Sequence, residues 1–194
     1  MEPIVLASQS PRRRELLSLY GVPFVVDPSQ ADEEHVEGAG DVRVQKLAQA
    51  KCLEVAARHP GQLVIGSDTL VCVDDEILGK PKDVQDAERM LRLLSGRAHQ
   101  VHTGLCLLLP DGRQLLGVDT TDVHFMPLSD ENIRRYIASG EPMDKAGAYA
   151  IQGMAGVFID RIEGSFSNVI GLPLGLLTQF LTEAGVEFFQ KNLM

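Results

Sequence analysis

QVHTGLCLLLPDGRQLLGVDTTDVHF, residues 100–125, holds two β-rich runs on either side of Pro110-Asp111-Gly112. Proline fixes one backbone angle, aspartate bonds its own main chain and glycine tolerates left-handed φ, so this stretch predicts one long hairpin. Upstream of it the pattern alternates. Asp83 is set to cap a helix whose apolar side carries Ala87, Met90, Leu91 and Leu94, and Ser95-Gly96 stops it. Before that, Leu63-Val64-Ile65 reads as a buried strand running into Gly66-Ser67-Asp68-Thr69. The chain stays extended through Leu70 to Val73, turns at Asp74-Asp75 and returns at Ile77-Leu78.

Val42 to Ala57 predicts a strong helix, with Val44, Leu47, Ala48 and Cys52 on one side. The opening reads strand, tight turn, helix: Ile4-Val5-Leu6, a capping Ser10, Pro11 in the first turn, then Leu16, Leu17 and Tyr20 at helical spacing. Val22 to Val26 is a second strand, and the polar, acidic residues from Asp27 to Gly40 form a loop. Beyond the hairpin, Ser129 starts a helix with Asp130 and Glu131 suited to its dipole. A strand follows near Val157 to Ile162, and a last helix runs from about Pro173 to Ala184. Strands alternating with helices around one hairpin indicate a mixed α/β fold, read as a single domain over 1–194 or two lobes sharing a cleft.

Bulk properties narrow the function classes. With 194 residues, 44% of them hydrophobic, the chain can bury a core without disulfide or metal staples. The net charge of -9 argues against a nucleic-acid polymer, which is bound by neutralising many phosphates at once. A small phosphorylated ligand needs only a local basic cluster. Cys52, Cys72 and Cys106 are odd in number and lack C-x-x-C spacing, so they predict buried thiols in a reducing compartment. The N-terminal apolar run is too short for a signal peptide, and nothing approaches the ~20 apolar residues of a membrane span. A cytoplasmic protein without a membrane partner is expected.

Five segments carry candidate chemistry. In Ser8-Gln9-Ser10-Pro11-Arg12-Arg13-Arg14, hydroxyls and free N–H groups at a helix start form a natural anion site. Arginines in a first turn oppose the helix dipole, which an anion among them would offset. Asp68, at the end of an apolar strand, can hold a cation, take a proton from water or simply cap a turn. Lys80, fixed between Gly79 and Pro81, is a point charge for phosphate or an ordinary surface lysine. Asp32-Glu33-Glu34 is a solvated run or supplies a metal ligand facing Asp68. In the run from Asp144 to Gly153, small residues surround Tyr149 and Gln152; the reading is close packing, with or without a ligand whose base edge Gln152 would read. No histidine pair has metal spacing on a common helix face, and neither G-x-S-x-G nor H-E-x-x-H occurs.

Taken in order, Leu6-Ala7-Ser8-Gln9-Ser10-Pro11-Arg12-Arg13, Lys46 to Lys51, Gly66-Ser67-Asp68-Thr69, Ile77-Leu78-Gly79-Lys80-Pro81, Asp144-Lys145-Ala146-Gly147-Ala148-Tyr149 and Val169-Ile170-Gly171-Leu172-Pro173 resemble the Maf family. The resemblance covers nearly the whole chain. It implies a fold like that of inosine-triphosphate pyrophosphatases, two lobes around a cleft, and metal-dependent cleavage between the α and β phosphates of a nucleotide. It implies Asp68 as proton acceptor, phosphate contacts from Ser8, Arg12, Arg13, Lys51 and Lys80, and a divalent cation, Mg²⁺ or Mn²⁺, at Glu33 and Asp68, with Asp32 or Glu34 as alternatives to Glu33. Arg12, Thr69 and Gln152 match the dTTP and UTP branch; the 7-methyl-GTP branch has tryptophan, glutamine and glutamate there. The resemblance also points to a homodimer, for which no feature of the sequence itself speaks. A non-enzymatic role in cell division and septum formation is the alternative from another class.

Overall fold

The computed structural model describes residues 2–33, 36–74 and 76–189; Glu34 and Asp75, named above, lie outside them. β1 (Ile4–Leu6) is buried at every residue, as suits an inner strand covered on both faces. It lies parallel to β2 (Phe24–Val26) on one side and β3 (Val64–Val73) on the other. Between β1 and β2 runs α1 (Pro11–Ser18), where the Ser10 hydroxyl accepts the Arg13 N–H at 3.4 Å. The expected strand from Val22 shortens to Phe24, the point where pairing with Ile4 begins.

β3 then pairs antiparallel with β5 (Ala98–Leu108), β5 with β6 (Gln114–Phe125) and β6 with β7 (Ile159–Glu163). The long hairpin is therefore present, turning where the Leu109 N–H donates to Arg113 O at 2.9 Å. The short β4 (Glu76–Leu78) returns along the second half of β3, and the sheet of seven strands runs β2-β1-β3-β5-β6-β7 with β4 on the β3 edge. One consequence positions the site. The outer edge of β3 is covered by β1 as far as Ile65 and by β4 from Val71, which leaves Gly66 to Leu70 as a gap.

α2 (Gly40–Ala56) lies directly on this sheet. A Cβ at Gly66 would fall 2.3 Å from Ala48 O, and one at Gly104 2.3 Å from Val44 O, so only glycine lets helix and strands approach so closely. Two further apolar clusters fill opposite ends of the long strands. α3 (Val84–Leu94) and α4 (Asp130–Ala138) pack against one end, and α1, β1 and α6 (Leu174–Glu183) against the other. The helix starts at Asp83 and Ser129 follow the expected caps, each side chain accepting an N–H three residues on.

Two local expectations shift. β7 begins at Ile159 rather than Val157 because Met154–Phe158 winds into a 3₁₀ turn first. α5 (Phe166–Ile170), a five-residue helix capped by Ser165, was hidden in the sequence by its shortness. The three cysteines are buried and unpaired. Among the described residues, no helix is long and apolar enough to cross a membrane.

Candidate functional site

The gap on β3 opens into a cleft of about 770 Å³, within the range that holds a small organic ligand. At its floor Asp68 is nearly buried, and Lys51, from α2, sits 2.6 Å away through Nζ. The same Nζ lies 2.8 Å from Glu33 Oε1, whose side chain stays 60% exposed. One lysine thus draws two carboxylates together, one buried and one open to solvent. Of the two described acids in the early loop, Asp32 and Glu33, it is Glu33 that lines the cleft at Lys51.

The anion loop forms the adjoining wall. Ser8 Oγ accepts from the Ser10 N–H and from Arg13 Nη1, both at 3.2 Å. Arg13 also donates from Nη2 to Thr69 Oγ1 at 3.1 Å and from Nε to Gly171 O at 2.7 Å. Burial pushes the Arg13 pKa down, opposed by the charges of Asp68 and Glu33. Thr69 continues the chain inward to Thr103 at 2.9 Å, and Thr103 donates to Asn168 O. A fan of arginine donors is therefore fixed by hydroxyls and by one main-chain carbonyl before any ligand arrives.

The far wall comes from the segment that follows α4. The Gly147 N–H donates to Gly79 O at 3.1 Å, tying this wall to the loop that carries Lys80. Gly147 has φ +69°, and a Cβ there would lie 2.9 Å from Val71 Cγ1. Ala148 follows with φ 58°, so the chain turns sharply through two left-handed residues. Tyr149 then packs edge-on to both Phe125 and His99, and its hydroxyl lies 2.7 Å from His99 Nε2. Burial holds the Tyr149 hydroxyl protonated and pushes the His99 pKa down to about 3, with His124 and Arg97 adding to the effect. The tyrosine is accordingly the donor and the neutral imidazole the acceptor. Beyond Gln152, Glu141 accepts the Met154 N–H at 3.0 Å and the Tyr136 hydroxyl at 2.9 Å, which anchors the end of this loop.

All nine residues singled out from sequence line this one cleft: Ser8, Arg12, Arg13, Glu33, Lys51, Asp68, Thr69, Lys80 and Gln152. Around Asp144 the chain forms two short 3₁₀ turns, Glu141–Asp144 and Ala146–Ala148, with Gly147 in a non-helical conformation inside the second. Four participants were not foreseen. Arg43 lines the cleft, and its signal was available, since it precedes Leu47 and Lys51 by four and eight residues on one helix face. Thr103, Asn168 and Glu141 act only through tertiary contacts and left no local pattern. Six Lys or Arg and three Asp or Glu line the cleft, a formal excess of three positive charges in a chain of net charge -9. Such a concentration suits a polyanion of small size, with a carboxylate beside it able to accept a proton.

The chain matches the family model described as Maf-like protein over residues 3–184. It is 49% identical over 191 residues to the dTTP/UTP pyrophosphatase of Symbiobacterium thermophilum, covering 97% of each chain. The dTTP/UTP pyrophosphatase of Thermococcus gammatolerans is 48% identical over 188 residues, covering 97% of this chain and 100% of that one. Among solved structures, the Staphylococcus aureus Ham1 protein superposes with a TM-score of 0.56 over 94% of this chain and 99% of that one, at 17% identity. That likeness is one of fold.

Proposed function

This chain belongs to the Maf family, and we propose that it is a nucleoside-triphosphate pyrophosphatase that cleaves dTTP and UTP to the monophosphate and pyrophosphate. The observation that carries this reading is the meeting of Asp68, Lys51 and Glu33 at the floor of a cation-rich cleft. Relatives named for that activity share about half of the sequence over nearly its full length.

In this mechanism water attacks the α phosphorus in line with the departing pyrophosphate, and Asp68 accepts its proton. Lys51, 2.6 Å away, holds that carboxylate in place and aimed. Ser8, Arg12, Arg13 and Lys80 bind the phosphates and absorb the charge that builds on the leaving group. Arg12, Thr69 and Gln152 set the preference for a pyrimidine, with Gln152 offering a donor and an acceptor to the base edge.

Glu33 and Asp68 would hold a divalent cation, Mg²⁺ or Mn²⁺. The fit rests on two carboxylates that Lys51 draws together in the cleft, since Mg²⁺ takes one or two carboxylates and completes its shell with phosphates and water. Among the described residues no group of three His, Cys, Asp or Glu forms a ready-made cage, so substrate oxygens would supply the remaining ligands. When bound, the cation neutralises phosphate charge and favours attack at phosphorus. The acidic exterior and the concentration of basic residues in the cleft favour a free nucleotide in the cytoplasm over a nucleic-acid polymer.

The test is pyrophosphate release from a panel of nucleoside triphosphates with Mg²⁺ and with Mn²⁺. Turnover of dTTP and UTP ahead of purines and 7-methyl-GTP is expected. Folded protein that turns over no nucleotide with either metal would leave a nucleotide-binding regulator of cell division as the leading reading.

A further inference from the structure

The cations of the cleft are not equivalent. Arg13 spends three of its donors on Ser8, Thr69 and Gly171. Lys51 is shared by Asp68 and Glu33, and Lys145 pairs with Asp144. Arg12, Lys80 and Arg43 remain without an ion pair among the described residues, and these three match the formal excess of three positive charges. Arg12 and Lys80 belong to the machinery described above. Arg43 does not, and its Nε is buried without a hydrogen-bond partner among the described residues.

A buried, unpaired guanidinium nitrogen is costly unless something completes it. The backbone that carries Arg43 has little freedom to relieve that cost. The next residue, Val44, has its carbonyl pressed against Gly104, and three residues earlier a Cβ at Gly40 would lie 2.6 Å from Cys72 Sγ. α2 is therefore seated on the sheet on both sides of Arg43 while the side chain lines the cleft. Lys51 stands two turns along the same face, roughly 12 Å by helical rise.

Resting on the pyrophosphatase reading, we infer that Arg43 is a further substrate-binding cation, which grips the pyrophosphate end of the nucleotide. Lys51 holds the acids at the point of attack, so a cation two turns away meets a part of the ligand remote from the attacked phosphorus. The base and sugar carry no charge; the terminal phosphates do, and the planar fork of arginine fits their oxygens.

The experiment compares wild type, Arg43→Ala and Arg43→Lys in the full chain, by steady-state kinetics on UTP and by thermal shift with inorganic pyrophosphate. Arg43→Ala should raise KM about ten- to a hundredfold, as loss of one hydrogen-bonded charge contact implies, and should lose most of the pyrophosphate-induced shift. Its melting temperature without ligand should not fall below the wild-type value, which separates binding from support of the fold. Arg43→Lys should recover part of both effects. An unchanged KM and an undiminished pyrophosphate shift in Arg43→Ala would overturn the inference. Wild type without turnover but with a pyrophosphate shift sinks the pyrophosphatase reading alone, and the variants then still read Arg43 through that shift. Wild type with neither sinks both.

Discussion

The two walls of the cleft are built on opposite principles. Around Ser8, Arg13, Lys51 and Asp68, position is set by hydrogen bonds between charged and polar side chains that line the cleft. From Gly147 to Gln152, it is set by close packing, left-handed backbone and a buried tyrosine wedged between aromatic rings. Polar bonds can be exchanged for bonds to a ligand at little cost, so the first wall suits charge that changes during a reaction. A packed wall keeps its shape, so the second suits a flat group that must be told from its relatives.

Asp68→Asn attacks the polar wall at its centre. It keeps the size of the side chain and removes the proton acceptor, so kcat should fall by about 10³-fold with the melting temperature nearly unchanged. Activity close to wild type would take Asp68 out of that role. On the packed wall the pattern should reverse, with stability lost first. Gly147→Ala puts a side chain at φ +69° and 2.9 Å from Val71 Cγ1, and should cost roughly 3 kcal/mol in denaturant unfolding. A change within error would mean that the turn is softer than its geometry implies.

The packed wall should also answer to acid. His99 is held neutral, its pKa down at about 3 against an ordinary 6.5. The unfolded chain therefore binds a proton that the folded chain refuses between those values. This contribution is complete above pH 6.5 and is lost as the pH falls toward 3, about 2 kcal/mol by pH 5. Melting temperatures from pH 7 to pH 4 should show a shallower decline in His99→Gln than in wild type, and equal slopes would exclude His99 as the source. Gln152→Glu should have the smallest effect, a loss of about tenfold in kcat/KM for UTP without loss of fold. A substrate panel identical to wild type would show that Gln152 does not read the base.

Much of this molecule was legible because its signals are local. Capping residues marked the starts of α1, α3 and α4, and alternation around Pro110-Asp111-Gly112 marked the hairpin. The site residues were legible where a local rule was broken or a motif was complete, as with arginines at a helix start. Glu33 was less clear, since three acids in a row look alike until one meets Lys51 Nζ at 2.8 Å. Glu141 and Asn168 could not be read at all, since each acts on chain segments distant in sequence or on main-chain groups.

By itself, then, the sequence determined the element types, the family and the chemical identity of the cleft residues, because propensity, capping and motif are written in neighbouring side chains. Only the tertiary structure decided that β1 and β4 stop short of each other on the edge of β3, leaving Asp68 and Thr69 in the opening. It also decided that α2 lies close enough to bring Lys51, and with it Arg43, to that opening. Strand register and helix approach depend on which distant residues are small enough to touch, and no local window of sequence holds that information.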